Sequence, residues 1–455
     1  MAVRLPIPTA SFCPPALPDL SPPPPWVLLD NTAYIAKNEN ATTARGRSTG
    51  GDVVEVSFCL AAPPAVSHLC ICCPGLEGRK QGGFFGEPVV AAAEGAFVLL
   101  DVHFNFGPRA YSYNEGIHDL FVYTAGPGTP RLRSLPDPFP LDIKPWETGI
   151  LPVGGDGGGG GGFVVASLVW NIGCKRGTRH PYHLHLFESC TGAWRTVAPR
   201  LDAASEHDDR VISHASSKVV AMGGGLLGWV DLLRGILLCD VLADDPVLRL
   251  LPLPKPMVAR AWKSRPAMIR DVTSDGDGLL SFVEIQFPKD TCEDLPPSYW
   301  DMSISDSDSD SDSDTAGFSY VSHGWRATIW KRKLFSSDDR WTKDCTATSA
   351  DIISCDPTCF QLLPELWDAE DRGLSLENLD SSTPIVSMHD DGVVYMMSER
   401  MNNNGNEAWM AAFDVRRKEL KAMAPFSSER KYSFENTCSR PCSFSMYLCM
   451  PAGEL

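Results

Sequence analysis

Leu226-Leu-Gly-Trp-Val-Asp-Leu-Leu-Arg-Gly-Ile-Leu-Leu-Cys-Asp-Val-Leu-Ala-Asp-Asp-Pro-Val-Leu-Arg-Leu-Leu-Pro-Leu-Pro254 reads as strand, turn, strand and exit. Residues 226–230 and 235–241 are apolar runs of strand length, Asp244-Asp-Pro246 closes the second, and residues 248–252 leave on a proline. The same phrase recurs along the chain: an apolar strand, a turn, then a bulky residue, a basic or polar one, and a proline a few positions on. It appears as Leu120-Phe-Val-Tyr123 with Leu132-Arg-Ser-Leu-Pro136, and as His183-Leu-His-Leu-Phe187 with Trp194-Arg-Thr-Val-Ala-Pro199. It returns as Ile236-Leu-Leu-Cys-Asp240 with Leu248-Arg-Leu-Leu-Pro252, and as Ala412-Phe-Asp-Val415 with Leu420-Lys-Ala-Met-Ala-Pro425. A fifth copy, Ala327-Thr-Ile-Trp330 with Trp341-Thr-Lys-Asp344, keeps the strand and the aromatic but lacks the proline. Repetition on this scale, with several strands per unit, predicts an all-β chain: a β-propeller-like ring of about six blades with long inserted loops. Small sheets stacked radially cover both faces of each and leave only short edges.

Residues 229–241 with 248–254 resemble the central motif of the plant family called domain of unknown function 1618, which is expanded in grasses. Trp26-Val-Leu-Leu-Asp30, Asn40-Ala-Thr-Thr43 and Pro63-Pro-Ala-Val-Ser-His68 fit the same family, as do Arg270-Asp-Val272 and Phe282-Val-Glu-Ile285. The resemblance implies no activity and no site residues. The repeats are also similar to the propeller repeats found behind F-boxes; an F-box is not visible, because residues 12–25 are broken by proline and cannot run as helix.

At 455 residues the chain can bury a large core. A net charge of −17 argues against a nucleic-acid surface, which needs clustered Lys and Arg, and a compact basic group such as Lys331-Arg-Lys333 is small beside it. Fifteen cysteines, an odd number, and no secretory signal point to reduced thiols in the cytoplasm or nucleus; an organelle transit peptide is the alternative for the start of the chain. No stretch approaches the roughly 20 apolar residues of a membrane span. Residues 1–25 are expected to form a disordered Pro-rich leader and 26–455 the ring, with the family motif at 226–290 and a disordered acidic Ser-Asp insertion at 301–316.

Several chemical signals weaken when read in context. Thr273-Ser-Asp-Gly-Asp-Gly-Leu-Leu-Ser-Phe-Val-Glu284 nearly spells an EF-hand calcium loop, with Asp275, Asp277, Gly278, Leu280 and Glu284 in place. Thr273 occupies the first ligand position, and Pro266 and a strand-like 281–287 stand where helices are needed, so the segment predicts a hairpin on an Asp-Gly-Asp-Gly turn. His183 and His185 share one strand face, with His180 nearby, but no Cys pair completes a zinc set. Cys70, Cys72 and Cys73, Cys355 and Cys359, and Cys438, Cys442 and Cys449 read as free structural thiols. Gly154-Gly-Asp-Gly-Gly-Gly-Gly-Gly-Gly162 lacks the Lys-Ser or Lys-Thr of a phosphate cradle and reads as a flexible loop. Asp244 with Asp245, or Glu365 with Asp368, read as solvated carboxylates. Asp231, Arg234 and Asp240 are expected to fix hairpins rather than touch a ligand. No catalytic residue, cofactor or metal ligand is nominated.

The Ser-Asp tract offers Ser305, Ser307, Ser309 and Ser311 as candidate phosphorylation sites, each followed by the aspartate that acid-directed kinases favour; a solubilising spacer is the plain alternative. The sequence thus points to a non-enzymatic protein-interaction scaffold or recognition module with a protein partner, and to neither nucleic acid nor membrane. Two alternatives stand beside it: an enzyme with its site in the central channel, and a substrate receptor related to F-box-associated domains. A deep pocket of perturbed groups marks the enzyme, a shallow charged or apolar patch on a rim the scaffold.

Overall fold

In the computed structural model the chain closes into a β-propeller of 6 blades. The structure describes residues 7–448 except 19, 21, 77, 79–82, 105–116, 127, 139–140, 142, 156–160, 172, 175–177, 258–265, 288–323, 337–339, 355–366, 369–372, 375, 377–378, 403–404 and 428–438. The acidic insertion at 301–316, with Ser305, Ser307, Ser309 and Ser311, lies outside the described residues.

Blades 2 to 6 are built alike, each an antiparallel meander running from the axis outward. Blade 2 holds Val89–Glu94, Phe97–Phe104, Ile117–Thr124 and Arg131–Ser134; blade 3 holds Thr148–Val153, Gly162–Trp170, Tyr182–Glu188 and Ala193–Val197. Blade 4 holds Lys218–Ala221, Leu226–Asp231, Gly235–Asp240 and Val247–Pro252, the segment that opens the sequence reading. Blade 5 holds Arg270–Ser274, Leu279–Gln286, Arg326–Lys333 and Thr342–Thr348; blade 6 holds Asp380–Val386, Val393–Asn402, Gly405–Asp414 and Glu419–Phe426. Short parallel strands, Arg200–Leu201 and Ile353–Ser354, cover the outer edges of blades 4 and 6.

Blade 1 is assembled from both ends of the chain. Its innermost strand is Ser439–Cys442, which pairs antiparallel with Val27–Asp30, and Val66–Cys72, Val53–Cys59 and Ala44–Arg47 follow outward. Arg440, on that inner strand, donates from Nε to Asn31 Oδ1 at 2.5 Å and from its two terminal nitrogens to the carbonyls of Ala91 and Val90, both at 2.8 Å. The C-terminal strand therefore ties the N-terminal strands to blade 2. Burial holds the Arg440 guanidinium down to about 10.

The ring explains why the strands are apolar on both faces. In Gly235–Asp240, Leu237 and Cys239 join a core with blade 3 residues such as Leu184, whereas Ile236 and Leu238 join a core with Val272 and Phe282 of blade 5. Each seam has a core of this kind: Phe97 and Leu99 meet Ile150 and Val165 between blades 2 and 3, and Val283 and Ile329 meet Val394 and Phe413 between blades 5 and 6. Leu28 meets Tyr395 and Met410 where the ring closes. A run like Ile236-Leu-Leu-Cys239 thus serves two neighbours at once.

The recurring phrase also has a physical origin, because the first half of each copy lies on the third strand of a blade and the second half on or beside its fourth, outer strand. Trp194 of blade 3 donates its indole N–H to the Pro136 carbonyl beyond the outer strand of blade 2 at 3.0 Å, and Trp341 of blade 5 donates to Pro252 at the end of the blade 4 outer strand at 2.8 Å. Proline frees no N–H of its own there, and its carbonyl accepts the next blade's tryptophan. One further contact joins blades 4 and 5: Gly223 sits at φ 85°, and a Cβ there would lie 2.0 Å from the Gly276 carbonyl oxygen. Only glycine fits both the left-handed backbone and the approach of the neighbouring turn.

The expected disordered leader requires a correction. Thr9–Phe12 form a 3-10 turn, Ile7 is buried in the core shared by blades 1 and 2, Phe12 packs against it, and Ser11 is buried. Apolar residues among the prolines found a surface to cover, which composition does not reveal.

Candidate binding cleft between blades 2 and 3

The innermost strands meet around the axis, where several of their charged groups are engaged in holding blades together, while burial raises the Glu94 carboxyl of blade 2 to about 7. Lys218 of blade 4 pairs with buried Asp271 of blade 5, whose second oxygen accepts the Val386 N–H of blade 6 at 3.2 Å. Burial raises the Asp271 carboxyl, and Lys218 opposes the shift. Arg270 is fully buried, donates to Glu284 at 2.7 Å, and bonds the Leu232 carbonyl at 2.7 Å. These groups staple blades 4, 5 and 6 together.

An open cleft of 400 Å3 lies instead at the seam of blades 2 and 3, bordered by Arg131, Arg133, Thr124, Thr129, Ser189 and Cys190. Arg131 and Arg133 alternate along the outer strand Arg131–Ser134, so both point to one side, and both are exposed. Buried Leu132 between them anchors the strand in the core. Phe97 and Phe163, packed at 5.2 Å, close the floor. Arg133 lies 5.7 Å over the Phe187 ring and donates to the Ser189 carbonyl at 3.5 Å, which holds its guanidinium at the mouth. Among the described residues, neither arginine makes an ion pair. By contrast Lys331, from the basic triplet visible in the sequence, is neutralised by Asp344 and Asp391, which also bind Arg416. The basic site therefore falls where sequence reading did not look: an Arg-x-Arg inside a repeat phrase is unremarkable until two blades frame it.

A second cavity, of 250 Å3, lies at the closing seam of blades 6 and 1, between Trp26, Tyr395, Pro24, Pro63 and the pair Asp390 and Lys421. Trp26 stacks on His389 at 4.9 Å there.

The residues weighed in the sequence fall as follows. Arg270–Ser274 and Leu279–Gln286 pair as a hairpin, so the EF-hand likeness is a turn: Asp275 Oδ1 accepts the Asp277 and Leu279 N–H groups at 2.8 and 3.0 Å. Asp231 accepts from the N–H groups of Leu233, Arg234 and Ala215 and from the Arg234 guanidinium, and Asp240 accepts from Leu242 N–H, as hairpin-fixing residues do. His183 and His185 lie ring to ring at 6.3 Å. His185 pairs through Nδ1 with Thr196 at 2.8 Å, and His180 with the Ala198 carbonyl at 2.9 Å. Burial, then His183, lowers the His185 imidazole. Asp244 and Asp245 stand in the turn before Val247–Pro252, where Asp245 meets Arg200 at 3.2 Å. Cys355, Cys359, Cys438, Cys449, Glu365 and residues 156–160 of the glycine run lie outside the described residues. The described cysteines are all free of disulfides. One group of them was missed: Cys59, His68 and Cys70 bring their ligand atoms within 4.8 Å of one another. Their separation along the chain hides what antiparallel pairing brings together. No helix among the described residues is long and apolar enough to cross a membrane.

Residues 229–395 match the family described as "Protein of unknown function (DUF1618)", which bears out the resemblance read from the central motif. No curated protein matches the sequence. Solved structures similar to the chain include the WD40 domain of SCAP from fission yeast, at 9% identity over 88% of this chain and 89% of that one, TM-score 0.31. An Aleuria aurantia lectin mutant in complex with Fucalpha1-6GlcNAc matches at 9% identity over 85% and 95% of the two chains, TM-score 0.30. A B. megaterium levansucrase mutant matches at 8% identity over 88% and 92%, TM-score 0.26. At these scores none of them bears on function.

Proposed function

We propose that the protein is a non-enzymatic recognition module that holds an extended acidic segment of a partner protein in the cleft between blades 2 and 3. The observation that carries this reading is the pair Arg131 and Arg133, two exposed guanidiniums without an ion pair among the described residues, at the mouth of a 400 Å3 cleft. A chain of net charge −17 repels anions at long range, so a local pair of cations selects a segment that presents carboxylates at close quarters. Guanidiniums suit that task, because their forked donors match carboxylate geometry. The hydroxyls of Thr124, Thr129 and Ser189 add donors around them. The enzyme reading asks for reactive groups at the axis, where Lys218, Asp271, Arg270 and Arg440 are engaged in holding blades together. Free buried thiols such as Cys70, Cys73 and Cys239 favour a reducing compartment, in keeping with a cytoplasmic or nuclear role.

The test is fluorescence anisotropy with a labelled Asp- and Glu-rich peptide and its Gln- and Asn-substituted counterpart. The acidic peptide is expected to bind, increasingly weakly as salt rises, and Arg131→Ala with Arg133→Ala to cost about tenfold to a hundredfold in affinity at unchanged thermal stability. Equal binding by the variant, or of the neutral peptide, would overturn the proposal.

A further inference from the structure

Val53–Cys59 and Val66–Cys72 pair so that Cys59 stands opposite His68, and Cys70 lies two residues along on the face of His68. That face is the one turned toward the closing seam, since Val66, of the same parity, packs against the core shared with blade 6. The alternate residues Leu69 and Ile71 enter the core with blade 2. A strand with an all-apolar environment on one side thus carries an imidazole and a thiol on the other, facing a second thiol across the ladder.

His68 is 1% exposed, and neither of its ring nitrogens has a hydrogen-bond partner among the described residues. Tyr34 covers the ring edge-on at 4.9 Å. A buried imidazole with both nitrogens unpaired is costly, because the polar atoms gave up water and gained nothing in return. Asn38 reaches in from outside, and its amide donates to Cys59 Sγ at 2.8 Å, a bond that favours a thiolate.

We propose that Cys59, His68 and Cys70 form a Zn2+ site that clamps blade 1. Two sulfurs and one nitrogen, already within 4.8 Å of one another, are the donor set that borderline-soft Zn2+ takes. Bonds of about 2.3 Å to sulfur and about 2.0 Å to nitrogen draw the three atoms together by roughly 1 Å. One ring nitrogen of His68 gains a partner, both thiols release their protons, and Asn38 becomes the outer hydrogen bond to a ligating sulfur. Cys59 is partly exposed, which gives the ion a way in and leaves the fourth position to solvent. The site is independent of the arginine cleft, which lies at a different seam.

The experiment uses the full-length protein. After chelation, addition of Co2+ is expected to give sulfur-to-cobalt charge-transfer and tetrahedral ligand-field bands that saturate at about one ion per chain, and Zn2+ is expected to displace the Co2+ and bleach them. Cys59→Ser, at the most exposed ligand, is expected to weaken Co2+ binding by about tenfold or more. Three results would each overturn the proposal: a titration of the wild-type chain without thiolate bands, binding of Cu+ but not of Zn2+ or Co2+, or a Cys59–Cys70 disulfide in protein purified under reducing conditions. The wild-type titration stands even where the variant does not fold.

Discussion

A chain ending before Ser439 is expected not to form the ring. Removal of Ser439–Cys442 unpairs Val27–Asp30 on its inner side and uncovers Val27, Leu28 and Leu29, all fully buried. It also removes Phe444, which is fully buried and packs on Phe58 at 4.6 Å. Each such side chain contributes about 1.5–3 kcal/mol when buried, so the sum rivals the roughly 5–15 kcal/mol by which a domain is stable. Arg440 adds to the loss, because its departure leaves the buried carbonyls of Val90 and Ala91 without their donors. The truncated chain should be recovered as aggregate or, if soluble, should show no cooperative thermal unfolding by circular dichroism. A truncated chain that melts as sharply and as high as the full one would show that the C-terminal strand does not close the ring.

Arg270→Met is expected to destabilise the protein by about 3–5 kcal/mol. Arg270 and Glu284 are both fully buried and 2.7 Å apart, and breaking such a pair from one side strands the other charge away from water. The same side chain bonds the Leu232 carbonyl, so its loss also loosens blade 4 from blade 5. Glu284→Gln alone is expected to be harmful as well, whereas the double substitution, which leaves no uncompensated charge, should recover much of the stability. Chemical denaturation of the four proteins tests this. Additive losses in the double variant would contradict a mutually compensating pair.

What the sequence could and could not disclose follows from where each strand sits. Middle strands such as Phe97–Phe104 and Gly235–Asp240 are buried on both faces and stand out as continuous apolar runs. Outer strands stand out through the tryptophan and proline that link one blade to the next. Inner strands are harder to see: Lys218–Ala221 is short, and Asp380–Val386 carries Ser381, Ser382 and Thr383 before Pro384, because an inner strand packs mainly on its neighbours around the axis. The link between Lys218 and Asp271 is invisible for the same reason, since ring curvature rather than sequence spacing brings them together. The family resemblance of Arg270-Asp-Val272 marked the right place without giving its purpose, which is structural. The candidate site was the least legible part. Arg131 and Arg133 sit in a repeat phrase whose copies elsewhere hold Arg195, Arg249 and Lys421, and only the seam with blade 3 gives this copy a cleft.

The central claim is that this cleft selects its partner by charge, and reversing the charge tests it most directly. Arg131→Glu with Arg133→Glu leaves the buried Leu132 anchor and the phenylalanine floor in place. Anisotropy titrations of the wild-type and reversed proteins, each with an acidic and a Lys-rich peptide in one buffer, form a square of four affinities. The account predicts that the wild-type chain binds the acidic peptide and the reversed chain rejects it while gaining affinity for the basic one. Four affinities that do not depend on the sign at positions 131 and 133 would contradict it.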